Sequence, residues 1–270
     1  MFDLHVHSAP DLFPRWGDDA ATADAYARAG FRGFVLKGHA EPTAGRAAAV
    51  RGIAAYGGIV LNEAVGGLNP SAVAAALGHG ARVVWMPTLD ARAHREAGLP
   101  RPPDACGSGS LAIPPADRGA EPRVRAILRL VADADAVIAT GHVSGAEAAW
   151  LVRAAREAGV RRVLLTHASF SVPALAAPAV RELQELGAVA EITAYQLLHQ
   201  PGVSAAGLAE LVRALDPARC VLSSDAGQPD SPPPPEALER LVDALAAEGV
   251  DRGALLAMAG EAAARLVVVR

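Results

Sequence analysis

A parallel (β/α)8 barrel of the TIM type, in the α/β class, is the fold predicted for this chain, with some distortion allowed and an extra C-terminal helix. Three observations predict it. Short β-like runs alternate with longer Ala, Leu, Arg and Glu segments of helical period, the pattern of βα units around a parallel sheet. Eight such runs can be read, enough to close a barrel. The chain has 270 residues, close to the roughly 250 of a typical single barrel, so residues 1–270 are read as one domain.

The runs cover residues 2–7, 33–39, 58–64, 81–88, 136–142, 161–167, 188–194 and 220–225. Several are apolar on both alternating faces, as Val83-Val84-Trp85 and Val163-Leu164-Leu165 are. That suits strands covered by helices outside and by packed layers inside. The helical segments open on capping residues, Thr43 in one case and Ser144 with Glu147 three positions later in another. Gly30, Gly80, Gly159 and Gly187 close helices just before the next strand. One connection breaks the rhythm. Residues 90–121 carry Pro, Gly, Ser and Asp without helical period, and a loop this long is expected to form a flap over the active site. A Pro-rich stretch at 228–235 leads into an amphipathic helix at 236–248, and residues 252–266 form the extra helix.

Composition narrows the function. The formal net charge is −4 and the charges are scattered, so no basic stripe is offered to a phosphate backbone and no nucleic-acid partner is expected. No apolar run approaches the roughly 20 residues of a membrane span, and the N-terminus lacks the order of a secretory leader. A cytoplasmic protein acting on a small-molecule substrate, without a membrane partner, is the expectation, and a homo-oligomer is compatible with it. Cys106 and Cys220 lie far apart without CxxC spacing, so ordinary thiols are expected. Lys37 is the sole lysine among 25 basic residues, which singles it out.

The chemistry-bearing residues fall at C-terminal strand ends, where barrel enzymes carry their sites. His5 and His7 end the first run, Lys37 and His39 the second, His142 the fifth, His167 the sixth and Asp225 the eighth. Residues i and i+2 of a strand share a face, so the HxH spacing aims both imidazoles into the barrel mouth. His142, His167 and Asp225 complete a nitrogen and oxygen donor set suited to a divalent metal: zinc first, with manganese or iron for a more open pocket. Such an ion activates water for hydrolysis.

Lys37 is read as a base, a substrate clamp or a carboxylated bridge, and His39 as a substrate or second-metal contact. Glu63 and Glu191 either reach the mouth or orient a histidine. His79 belongs at the opposite pole, and His94 and His199 lie in loops, on the surface or in contact with substrate. Arg15, Trp16, Arg92, Tyr195 and Gln196 sit in strand-to-helix loops, as substrate contacts or as surface.

The strings Asp3-Leu4-His5-Val6-His7, Thr140-Gly141-His142, Leu165-Thr166-His167 and Ser223-Ser224-Asp225-Ala226-Gly227 resemble the amidohydrolase superfamily of metal-dependent barrel hydrolases, within it a poorly characterised branch. The likeness spans nearly the whole chain, including the tail 258–266. It implies that His5, His7 and Asp225 hold one metal, that His142 and His167 hold a second, and that Asp225 takes the proton of the attacking water. The fourth run ends Trp85-Met86-Pro87-Thr88 and offers no lysine or glutamate to bridge two metals. A one-metal arrangement, with His167 orienting the water as a catalytic residue, fits the same residues. The implied activity is cleavage of an amide, lactone or ester bond. Lys37-Gly38-His39 is similar to the polymerase-and-histidinol-phosphatase type of metal phosphoesterase, which is the principal alternative. A metal-dependent decarboxylase and a non-catalytic binding barrel are the others.

Overall fold

The structure is a computed structural model that describes residues 1–102 and 110–268. Its eight strands are β1 (Asp3–Val6), β2 (Gly33–Leu36), β3 (Ala54–Val60), β4 (Val83–Trp85), β5 (Val137–Ala139), β6 (Arg162–Leu165), β7 (Val189–Thr193) and β8 (Cys220–Ser223). They stand side by side in sequence order, every neighbouring pair parallel. The last returns to the first: Asp225 N–H donates to His5 O at 2.8 Å and His7 N–H to Ala226 O at 2.9 Å. The result is the nearly closed (β/α)8 barrel that the alternating pattern predicts. Each predicted run contains a strand, though β3 begins at Ala54, ahead of the predicted position 58.

Outside the strands run helices α1 (Asp19–Arg28), α2 (Ala44–Ala49), α3 (Pro70–Gly78), α4 (Arg92–Glu96), α5 (Glu121–Asp133), α6 (Gly145–Glu157), α7 (Ala177–Glu185), α8 (Ala194–His199), α9 (Ala205–Ala214) and α10 (Pro234–Ala247). The capping box at Ser144 forms as predicted, the Glu147 carboxylate accepting from Ser144 N at 2.8 Å. Thr43 does not cap α2. Its hydroxyl instead donates to Leu36 O at 2.7 Å and accepts from Gly58 N at 2.9 Å, fastening β2 to β3. Residues 90–121, read as aperiodic, contain α4, and residues 103–109 of that segment lie outside the described residues. No helix among the described residues is long and apolar enough to cross a membrane.

Alternation along the strands sorts the core into two layers. Val35, Val60, Val83, Trp85, Val137, Leu164 and Val221 pack inside the barrel, whereas Phe34, Leu36, Ile59, Val84, Ile138, Val163 and Leu222 face the helices. The interior is closed at the bottom by Leu266 and Val267 of the C-terminal helix, packed with Phe2 and Leu4. Here β1 does something strict alternation does not foresee. Phe2 and Leu4 point inward, yet so do His5 and His7 higher up. The parity changes because Asp3 pairs with Phe34 while Val6 pairs with Leu36, three steps on β1 against two on β2. One extra residue in the strand re-aims the side chains above it. The even-numbered apolar pair then serves the core, and the odd-numbered histidines reach the mouth.

Phe2 is 2 % exposed and belongs to this lower plug. Phe2→Ala is expected to cost about 3–5 kcal/mol in urea unfolding; a loss under about 1 kcal/mol would show that the barrel floor is not packed as described.

Candidate metal centre

The buried polar residues gather at the C-terminal end of the barrel, around a cavity of about 450 Å³. This lies within the roughly 300–1,000 Å³ of small-molecule pockets. Its floor includes His7, Lys37, His39, His142, His167 and Asp225, with His5 fully buried beneath. All the histidines predicted at strand ends, together with Lys37 and Asp225, therefore come together.

Asp225 is the meeting point. Its Oδ1 lies 2.9 Å from His5 Nε2 and 3.2 Å from His7 Nε2. Burial raises the carboxyl's pKa, but the His5 charge and the bonds from both imidazoles outweigh this and hold it well below the usual range. Both Asp225 and His167 have left-handed backbone, φ 50° and φ 29°. Non-glycine residues held there store about 1–3 kcal/mol each, a cost that clusters at functional sites. Gly141 makes the third such turn, φ 59°, and lets the chain pass against the carbonyls of Met86 and Pro87 before His142. His142 N–H then donates to Pro87 O at 2.9 Å.

The other imidazoles converge from the far side. His142 Nε2 lies 3.1 Å from His167 Nε2, and the His5 and His167 ring centres are 6.3 Å apart. Desolvation lowers the pKa of His142 well below its ordinary value and that of His167 to about 4. Neutral rings offer the lone pairs that a metal requires. Glu191 behaves as an orienting residue: its carboxylate accepts from His5 Nδ1 at 3.3 Å and from His167 N–H at 3.1 Å. Lys37 Nζ is 2.9 Å from His5 Nε2 and over the Trp85 ring. Burial lowers its pKa, against the pull of Asp225 and Glu191.

A second cluster lies beside the first. His39 stacks on His7 with ring centres 4.6 Å apart, and its Nδ1 is 3.2 Å from the Asp11 carboxylate. Both His5, His7, Asp225 and His7, Asp11, His39 bring one donor atom each within 4.8 Å of one another, so each group fits a metal ion. Each has a basic side chain beside it: Arg15 Nη2 donates to Asp11 at 2.6 Å with both side chains at most 3 % exposed, and Lys37 Nζ lies 2.9 Å from His5 Nε2. The nitrogen and oxygen donors of the first set, free of thiolates, suit a divalent metal ion.

Some sequence expectations are corrected. Glu63 is not among the cavity-lining residues. β3 ends at Val60, so the chain has already turned into a short 3-10 segment, Glu63–Val65, and Asn62 holds the strand-end position. Asn62 donates to His39 O and to Thr88 Oγ1, each at 3.0 Å, tying β2 to β4. His94 is not on the surface: α4 carries it into the cavity wall at 3 % exposure. His199 also lines the cavity, where it meets Ser231 at 2.7 Å. His79 is exposed after α3, at the opposite pole as expected. Among the loop candidates, Arg15 and Tyr195 line the cavity, and Gln196 is buried against Ser169. Asp11 was not foreseen. It reaches the site through a loop whose path follows from contacts with Arg15 and His39, and the sequence signals only an acid four residues after His7. Cys220 is a free buried thiol whose pKa burial pushes up to about 11. Cys106 lies outside the described residues.

The fold and site define a (β/α)8 barrel whose mouth holds clusters of histidine and aspartate able to bind a metal. The chain belongs to a family of unknown function (DUF6282), whose model matches residues 1–191. No curated protein matches it. Solved structures do. An organophosphorus hydrolase from Deinococcus radiodurans has a TM-score of 0.64 at 14% identity, covering 98% of this chain and 92% of that one. An amidohydrolase from Burkholderia multivorans has a TM-score of 0.60 at 16% identity, with 98% of each chain covered. A TatD homologue from Escherichia coli k12 has a TM-score of 0.59 at 16% identity, covering 100% of this chain and 98% of that one. At such identities the likeness is one of fold, and the resemblance to amidohydrolase barrels holds at that level.

Glu191 carries two buried partners at once. Glu191→Ala leaves His5 Nδ1 and the His167 amide without their acceptor and is expected to cost about 3 kcal/mol or more in urea unfolding of the metal-free protein. A change within about 0.5 kcal/mol, the size of an ordinary surface substitution, would show that these contacts do not hold the site.

Proposed function

We propose that the protein is a metal-dependent hydrolase that activates water to cleave an amide, lactone or ester bond of a small molecule. The observation that carries this reading is the convergence of Asp225 Oδ1 on the Nε2 atoms of His5 and His7, opposite the paired Nε2 atoms of His142 and His167. His5, His7 and Asp225 would hold one zinc ion per chain, with manganese or iron as substitutes, and His142 and His167 would supply further nitrogen donors. When bound, the ion would lower the pKa of water and polarise the scissile carbonyl.

The remaining work falls to the side chains. Asp225, kept ionised, accepts the proton of the attacking water. His167 orients that water from across the floor. Lys37, which lines the cavity beside Asp225, touches the substrate oxygen. Glu191 keeps the His5 ring from rotating. Phe13, Leu89, Leu99, Phe170 and Tyr195 wall the cavity and exclude water around an apolar substrate. The segment 90–121 supplies part of that wall through Leu99 and Pro100, in keeping with a flap.

The His7, Asp11 and His39 cluster favours one second reading, a phosphoesterase of the polymerase-and-histidinol-phosphatase type, in which those residues and Arg15 receive phosphate. A substrate panel separates the two: lactones, cyclic amides and esters on one side, phosphomonoesters on the other.

Two outcomes are expected. Elemental analysis of the purified protein gives one equivalent of zinc, and a chelator removes activity that added zinc restores; a protein with no bound metal contradicts the reading. Asp225→Asn lowers kcat at least about a hundredfold with an unchanged circular dichroism spectrum, the loss typical of a removed general base. Undiminished turnover in that variant sinks the role assigned to Asp225.

A further inference from the structure

His94 makes contacts that no role so far uses. It sits on α4 at 3 % exposure, between Pro100 on one side and His142 on the other. Its Nε2 is 3.1 Å from Pro100 O, and its Nδ1 is 2.7 Å from His142 Nδ1. The two ring centres are 4.9 Å apart and the planes only 18° from parallel. With the nitrogens 2.7 Å apart, that separation makes the rings meet edge to edge, as a ring N–H and a ring lone pair do.

We infer that His94 fixes the tautomer of His142, turning the lone pair of His142 Nε2 toward the floor of the cavity. The polarity follows from the end of the chain. A backbone carbonyl only accepts, so His94 Nε2 carries the hydrogen. A neutral imidazole has one N–H, so His94 Nδ1 is left as an acceptor and His142 Nδ1 must donate to it. His142 Nε2, the atom 3.1 Å from His167 Nε2, then carries a lone pair and no hydrogen. The opposite polarity would need a second proton on His94, a charge buried against an uncharged ring. His94 is therefore a positioning residue acting through His142, supplied by the connection after β4.

Its consequence for a metal rests on the metal-centre reading proposed above. Without His94, His142 is free to carry its hydrogen on Nε2, where it cannot ligate; loss of such an orienting partner typically costs 10–100-fold in metal affinity, in order of magnitude roughly that expected here.

The experiment has two arms that fail separately. Long-range 1H–15N correlation spectra of the metal-free, histidine-labelled protein read the tautomers directly. They are expected to show His94 with its hydrogen on Nε2 and His142 with its hydrogen on Nδ1. A spectrum with the His142 hydrogen on Nε2 overturns the inference whatever the metal content. Chelator competition then measures zinc affinity. His94→Leu is expected to bind at least about tenfold more weakly, and His94→Asn, which returns an acceptor oxygen near the Nδ1 position, to recover most of the loss. His94→Leu binding as tightly as the parent protein also overturns it. If the parent protein itself binds no zinc, the metal-centre reading falls, and the tautomer spectrum still decides the role of His94.

Discussion

The site depends on the seam where the first and last strands meet. There one carboxylate, Asp225, sits within hydrogen-bonding distance of two imidazoles from β1, and its backbone N–H is bonded to His5 O. Closing the barrel and assembling the charged centre are thus one event. Asp3 fastens the same seam from below: its buried carboxyl accepts from Ser224 N at 3.0 Å, from His5 N at 3.1 Å and from the Tyr26 hydroxyl at 2.5 Å. The left-handed backbone at Asp225 is the local cost, offset by the ladder and core on either side.

Around that seam, burial makes neutral rings and the few full charges are paired. Desolvation holds His142 and His167 neutral, while Asp225 and Glu191 each lie against His5. Arg15 and Asp11 neutralise one another at the side of the cavity. An uncompensated charge in such surroundings is strongly destabilising. The apolar wall above follows from Phe and Leu in the connecting loops, and the polar floor from residues just past the strand ends beneath it.

Much of this was legible in the sequence because strand periodicity is local. The eight βα units follow from it and hold, and the histidines read at the strand ends lie together at one end of the barrel. What was not legible depends on contacts between distant segments. The extra residue in β1 is visible only against the register of β2, so a uniform strand from 2 to 7 would have set Phe2 and His5 on opposite faces. Glu63 was read one turn too far along β3, and Asn62 took the strand end. His94 and Asp11 lie in connections without period, and their inward placement follows from side-chain contacts, His142 for the one and Arg15 and His39 for the other. Thr43 looked like a helix cap and proved to be a strand clasp.

The central claim is that imidazole and carboxylate donors at this seam hold a divalent ion. X-ray absorption at the zinc edge of the purified protein tests it most directly. The account predicts a first coordination sphere of nitrogen and oxygen at about 2.0–2.1 Å, with the outer scattering of several imidazoles and no sulfur. Sulfur ligands at about 2.3 Å, or zinc without imidazole scattering, would contradict it.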